Sequence, residues 1–270
     1  MMLKPTLIKL HWLLSSQFGI DLQCLLRSLR GIPAFLKDWI KFRKGYTGRL
    51  LLKPCLHDRY EEGGETKSEY FWQDLLVARW IHTDRPDRHV DVGSRVDGFV
   101  AHVAAFREIE VFDVRCILSS VPGIVFRQAD LMSPDSVQSY AGNGGYCDSL
   151  SCLHAIEHFG LGRYGDPIDP SGYERGIANM AQLLETNGTF YLSTPIGQER
   201  VEFNANRVFD PRTIIRCAKA NGLKLRTLTV VSSTSSPRDV IPNEEAFNEL
   251  VASQYNLGLF VFTKAEKEVA

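Results

Sequence analysis

The sequence offers little that would assign it at a glance. No charge dominates: 31 Lys and Arg stand against 32 Asp and Glu, a net charge of -1, which removes any chain-wide electrostatic case for a nucleic-acid partner. The six cysteines, Cys24, Cys55, Cys116, Cys147, Cys152 and Cys217, form no Cys-x-x-Cys pair and no zinc-ligand spacing, so they read as reduced thiols in a cytosolic compartment. Long uncharged runs are missing too. Near the N-terminus the longest covers residues 10–20, too short to cross a bilayer and without a small-residue cleavage site, which predicts neither a signal peptide nor a membrane span. Internal repeats are absent, and the serine-rich stretch 232–236 is the single low-complexity patch, read as a loop.

What is present suffices for one large α/β domain with an appendage: 270 residues, 44% hydrophobic and 23% charged. Charge is concentrated locally. Residues 27–53 hold eight basic side chains, Arg27, Arg30, Lys37, Lys41, Arg43, Lys44, Arg49 and Lys53, against the single acid Asp38. Through the same region Leu13, Leu14, Phe18, Leu22, Leu25, Leu26 and Leu29 recur at helical spacing. Beyond a break expected at Gly31 and Pro33, so do Phe35, Leu36, Trp39 and Ile40. Two or three amphipathic helices follow, whose stripe could cap the main core or dock on a membrane surface or a partner. A polar loop at 58–68 separates this helical, basic extension, 1–68, from a main domain, 69–270, that opens on a helix near 70–81. From residue 89 onward β-rich runs at 89–92, 109–113, 124–128, 149–153 and 189–193 alternate with helical segments at 98–106, 134–140, 171–185 and 211–221. The last two strands, 225–231 and 258–263, have only a loop and a helix at 244–255 between them. The pattern predicts a doubly wound, mostly parallel sheet closed by an antiparallel strand.

The first strand runs into Asp91-Val92-Gly93-Ser94-Arg95-Val96-Asp97-Gly98, a tight turn at the carboxyl edge of the sheet, where open α/β sheets bind ligands. Gly93 lets the backbone approach a ligand, and Gly98 suits a close helix–strand contact. Arg95 stands where the second glycine of Gly-x-Gly-x-x-Gly would be, which argues against a dinucleotide pyrophosphate on the turn. Asp113 ends the second strand, 22 residues after Asp91, where a carboxylate can accept from both ribose hydroxyls. Asp130, followed by Leu131, comes after the third, where a carboxylate can take an adenine amine. Singly, each acid is as readily a loop or cap residue. In this order, at successive strand ends, they read as one nucleoside site.

These residues, together with Cys147-Asp148-Ser149-Leu150-Ser151-Cys152-Leu153-His154-Ala155-Ile156-Glu157-His158-Phe159, resemble class I S-adenosylmethionine-dependent methyltransferases over roughly residues 70–264. The wording of 89–102 also resembles a methyltransferase-like family known from nematodes and from bacterial surface-polysaccharide gene clusters. The resemblance implies a Rossmann-like, seven-stranded sheet with the last strand antiparallel, and S-adenosylmethionine as cofactor. It implies Asp91 and Gly93 near the methionine moiety, Asp113 on ribose and Asp130 on adenine, with Ser94, Arg95, Gly98, Leu131 and Ser151 completing the contacts. Arg95 departs from the glycine-rich pattern: either it aids the cofactor's carboxylate or it marks a modified pocket.

Methyl transfer asks the chain to align the acceptor and, for a hydroxyl, to take its proton. His158 and His154 flank Glu157 just past the fourth strand; either could be the base with Glu157 orienting it, or both could be structural. Asp166 and Asp169 could hold Mg²⁺ against a vicinal diol, or simply set turns in a proline-rich loop. Asn204, Asn206 and Arg207 lie on the same edge and could contact an acceptor sugar. Three functions compete. The first is a cytoplasmic O-methyltransferase on a saccharide or polysaccharide-linked acceptor, its basic helices meeting the inner face of a membrane or a glycosyltransferase. The others are a non-catalytic module in a glycan-assembly complex and a small-molecule methyltransferase.

Overall fold

A computed structural model describes residues 5–61, 63–64, 66, 68–141, 144–232 and 235–266. The chain forms two compact units, Met1–Glu65 and Thr66–Ala270. In the first, helix α1 (Pro5–Phe18) is followed by α2 (Leu22–Gly45), whose first turn is capped by the Asp21 carboxylate accepting from the N–H groups of Gln23 and Cys24. The break expected at Gly31 and Pro33 does not occur, and α2 runs through both. Gly31 is buried where a Cβ would fall 1.8 Å from the carbonyl oxygen of Leu56, so its lack of a side chain serves close packing and not helix termination. Pro33 leaves the helix one backbone donor short. Leu22, Leu25, Leu26, Leu29, Leu36 and Ile40 on α2 stay exposed. Among the described residues no helix is long and apolar enough to cross a membrane.

The second unit begins with α3 (Glu69–Asp84) and continues as an α/β sheet. Its strands are β1 (His89–Val92), β2 (Ile109–Asp113), β3 (Ile124–Gln128), β4 (Cys147–Leu153), β5 (Leu184–Ile196), β8 (Leu223–Ser232), β9 (Ser235–Val240) and β10 (Asn256–Lys264), while β6 (Arg200–Glu202) and β7 (Asn206–Val208) form a separate hairpin. The helices after α3 are α4 (Ala101–Ala104), α5 (Pro134–Gln138), α6 (Gly172–Leu183), α7 (Pro211–Ala220) and α8 (Glu244–Ala252). Strand order is β3-β2-β1-β4-β5-β10-β8-β9. Strands β1 to β5 run parallel, and β10 is antiparallel to both its neighbours, as expected of a Rossmann-like sheet with a reversed last strand.

The sheet has eight strands where the resemblance implies seven. The addition is β9, paired antiparallel to β8 and built partly from the serine stretch read as a loop; residues 233 and 234 of that stretch lie outside the described residues. Ser235, Ser236, Pro237, Arg238 and Asp239 give no apolar alternation, and a polar, proline-bearing strand is tolerated only at a sheet edge, where β9 sits. The helix expected at 98–106 is likewise shorter. Val96–Val100 forms an irregular turn kinked at Gly98 (φ -122°, ψ -114°), and α4 adds one turn.

Alternation along the strands divides the core between the two sheet faces. Leu150, Cys152, Phe190, Leu192 and Phe260 pack with Ile177 and Met180 of α6 and Ile214 of α7. Leu153, Tyr191 and Leu259 pack with Val77 and Ile81 of α3 and Val103 of α4. The chain winds outward from β1 to β2 and β3 on one side and restarts at β4 on the other, so the β1/β4 boundary is the topological switch point.

Candidate active site

A cavity of about 610 Å³ opens at that switch point. Its wall combines the turn after β1 (Gly93, Ser94, Arg95, Gly98), the ends of β2 and β3 (Asp113, Asp130, Leu131), the segment after β4 (His154, Glu157, His158), Tyr70 of α3 and Tyr255 ahead of β10. Gly93 adopts φ +77°, and a Cβ there would lie 2.9 Å from Cβ of Ala155. The glycine therefore permits both a left-handed turn and the close approach of the two loops that frame the cavity.

Asp91 and Ser151, expected to touch the cofactor, do not line the cavity; both are fully buried behind the turn. Register explains it, since Asp91 lies opposite Ser151 on the parallel neighbour strand. The Asp91 carboxylate accepts from Ser94 N (3.0 Å), Ser94 Oγ (2.8 Å) and Ser151 Oγ (2.6 Å), so it shapes the turn from beneath. Burial pushes its pKa up to about 6. With the Ser151 hydroxyl committed to Asp91, His89 Nε2–H donates to Ser151 Oγ (3.1 Å) and Nδ1 accepts from Ser149 Oγ (2.8 Å). Burial drops His89 to about 3 and fixes it neutral. Gly98 faces Asp74 of α3, whose Oδ2 would stand 3.0 Å from a Cβ, and not a strand as its spacing suggested. Arg95 lines the cavity paired with Asp97 at 2.6 Å.

Asp113 and Asp130 both line the cavity. Asp113 Oδ1 accepts from Arg115 N (2.8 Å) and Nε (3.0 Å), and its Oδ2 from an Arg115 terminal nitrogen (2.6 Å). The Arg115 guanidinium lies 4.4 Å over the Tyr164 ring. Asp130 Oδ1 accepts from Met132 N (2.9 Å), while its Oδ2 accepts no hydrogen bond among the described residues.

His154 and His158 differ sharply. His154, at φ +50°, is buried with Nδ1 2.7 Å from Glu157 Oε1 and Nε2 3.3 Å from Glu69 Oε1, its ring 4.6 Å from that of Tyr70. Burial pulls its pKa down, but the two carboxylates outweigh this and lift it to about 9. Held between two carboxylates, His154 favours its protonated form, which suits an ion-pair role better than that of the base. Burial also opposes the Glu157 charge, yet the ion pair with His154 holds that carboxyl below its usual range. His158 donates Nδ1–H to the Ala205 carbonyl (2.7 Å), which leaves Nε2 unprotonated, and burial lowers its pKa.

The loop candidates resolve into scaffolding. Asp166 accepts from the N–H groups of Gly160 (2.9 Å), Gly162 (3.2 Å) and Tyr164 (3.1 Å), while Asp169 accepts from Ser171 N (2.9 Å) and pairs with Arg175 (3.1 Å). Turn formation engages Asp166 and one oxygen of Asp169; among the described residues the buried Oδ2 of Asp169 accepts no hydrogen bond and meets only the Arg175 guanidinium, and the two aspartates do not group with other ligands around a cation position. Arg207 is buried, donating to the carbonyls of Glu157 (3.3 Å), Phe159 (2.6 Å), Asp169 (3.5 Å) and Pro170 (3.2 Å), so it ties loops together instead of meeting an acceptor. Asn206 lines the cavity and Asn204 does not. Tyr70, Arg115, Arg163 and Tyr255 join the wall without any signal in the sequence pattern.

Residues 123–220 match a family described as Caenorhabditis protein of unknown function, DUF268. No curated protein matches the chain. Among solved structures, the chain is similar to the Burkholderia thailandensis 1,6-didemethyltoxoflavin-N1-methyltransferase with bound 1,6-didemethyltoxoflavin and S-adenosylhomocysteine, at 12% identity, 74% of this chain, 80% of that one and a TM-score of 0.49. The N-methyltransferase NodS of Bradyrhizobium japonicum, in complex with S-adenosylhomocysteine, aligns at 11% identity over 74% of this chain and 90% of its own, with a TM-score of 0.47. The [4+2]-cyclase SpnF aligns at 12%, 72% and 82%, with a TM-score of 0.49. Values this low carry no reaction across, and function has to come from the site's own residues.

Proposed function

We propose that the second unit is an S-adenosylmethionine-dependent methyltransferase that delivers a methyl group to a hydroxyl oxygen. The observation that carries this reading is that one cavity joins two strand-end carboxylates, Asp113 and Asp130, to a histidine whose Nδ1 donates to a carbonyl and whose Nε2 is left unprotonated, His158. The free oxygen of Asp130 suits an adenine amine, and Asp113 suits ribose, since a carboxylate has about four acceptor positions and Arg115 takes only part of them. Gly93, Ser94 and Arg95 would meet the amino-acid tail, and Leu131 the base. The bound cofactor supplies a methyl group activated on a sulfonium. His158 Nε2 receives the hydroxyl proton while the Ala205 carbonyl fixes the tautomer, and Glu157 stays ionised to hold His154.

For the acceptor, a saccharide or polysaccharide-linked hydroxyl rests on the resemblance of residues 89–102. For the first unit, a membrane surface or a glycosyltransferase partner rests on the exposed leucines of α2 beside Arg27, Arg30, Lys37 and Lys41. Calorimetry with S-adenosylhomocysteine tests the premise, and Asp113→Ala should weaken binding at least tenfold. Transfer of labelled methyl groups to glycan extracts, compared with small-molecule extracts and with His158→Ala, tests the rest; undiminished transfer by the variant rejects His158. The rival reading, a non-catalytic module, draws on the grip of Arg115 on Asp113. No heat with S-adenosylhomocysteine decides for it.

A further inference from the structure

We propose that the acceptor carries an anionic group, a carboxylate or a phosphate, which Arg163 binds beside the hydroxyl presented to His158. This rests on the methyl-transfer reading of the cavity and narrows its substrate class.

Cations in the wall are otherwise paired. Arg95 meets Asp97, Arg115 meets Asp113, and His154 lies between Glu157 and Glu69. Arg163, exposed at the cavity's mouth, has no carboxylate within ion-pair distance among the described residues. One of its terminal nitrogens donates to the Ala205 carbonyl (2.9 Å) and stands 3.4 Å from both ring nitrogens of His158. A guanidinium has five donors, so most of this one remains unused next to the group assigned as base.

His154, in the same wall, already has Glu157 and Glu69 as counter-charges, although its buried Nε2 makes no hydrogen bond among the described residues. Of the neighbouring acids, Glu157 meets His154, Thr194 and, at 3.9 Å, His158 Nε2, while Asp166 is taken by three backbone N–H groups. Arg163 therefore brings to this end of the cavity unused donors and a positive charge with, among the described residues, no carboxylate of its own. A neutral polyol needs both kinds of partner, whereas a carboxylate or phosphate needs only donors and suits the guanidinium fork. The loop that carries Arg163 is already held by Asp166, so little ordering accompanies binding.

The test is calorimetry on the full chain, with and without S-adenosylhomocysteine, using methyl β-D-glucuronide, glucose 6-phosphate and the neutral methyl β-D-glucoside. At least one anion should bind about tenfold more tightly than the neutral sugar, as one charge-assisted hydrogen-bond set predicts. Glucuronide or glucose 6-phosphate alone showing the gain identifies the group. Arg163→Gln should erase the preference and Arg163→Lys keep part of it. Equal binding of all three sugars, no binding of either anion, or an intact preference in Arg163→Gln overturns the proposal. Anion preference without any S-adenosylhomocysteine binding would instead sink the methyl-transfer reading while leaving the anion site in place.

Discussion

His154 and His158 stand on either side of Glu157, and the difference between them is the number of carboxylates each meets. Two carboxylates raise His154 from 6.5 to about 9, so the folded chain binds that proton more tightly than the unfolded chain. Its stabilising contribution is complete below pH 6.5 and is lost as pH rises through about 9. Urea midpoints should therefore fall across that window, and His154→Gln should flatten the fall; parallel curves would reject the ion pair. His158 behaves oppositely, its pKa lying below 6.5. Methyl transfer should be level above neutrality and decline only in acid, and His158→Ala should cut kcat by about 10²- to 10⁴-fold without altering S-adenosylhomocysteine affinity. Asp91 defines a third window. Raised from 3.8 to about 6 by burial, its contribution is complete below pH 3.8 and lost as pH rises through 6. Ser151→Ala withdraws a donor from the ionised form and should cost about 1–3 kcal/mol at pH 8 but less at pH 5, where Asp91 is protonated. Equal costs in denaturant melts at the two pH values would contradict that assignment.

Between elements, the buried Arg207 of β7 links the segment after β4 to the start of α6 through four carbonyls. A lysine has the charge but not the planar fork, so Arg207→Lys should leave carbonyls unpaired and lower stability by about 2 kcal/mol in urea unfolding. A change below 0.5 kcal/mol would show the latch to be incidental. Nothing in Asn206-Arg207-Val208 announces this role, because it depends on loops distant in sequence. Strands β1, β2 and β3, by contrast, were legible to the residue: short apolar runs cut by polar loops leave no competing register. The same logic fails for β6, β7 and β9, which are polar and edge-placed or paired only with each other. Gly93, Asp113 and Asp130 were readable as cavity residues because strand order alone brings strand ends together. Asp91 and Ser151 lie behind the cavity wall, which the pattern did not foretell because a strand position does not disclose which way its side chain turns. Arg115, Arg163 and Tyr255 reach the wall through loop conformation or through a strand far along the chain, and no local pattern encodes that.

At the scale of the whole molecule, charge is distributed by segment. The chain is nearly neutral, yet residues 27–53 hold eight basic side chains and one acid, and α2 leaves Leu22, Leu25, Leu26, Leu29, Leu36 and Ile40 exposed at helical spacing. A basic amphipathic helix gains about 1 kcal/mol per Lys or Arg near an anionic bilayer, with apolar burial added once it inserts at the interface. If that is the role of the first unit, the full chain should float with vesicles containing phosphatidylserine and not with phosphatidylcholine alone. Removing residues 1–65 should abolish flotation. Raising salt to about 0.5 M should weaken it, because the Debye length falls well below its roughly 8 Å at physiological strength, while the apolar contribution persists. Equal flotation of the full and shortened chains, or indifference to lipid charge, would leave the stripe to a protein partner, and co-sedimentation would then be expected with a folded protein and not with lipid.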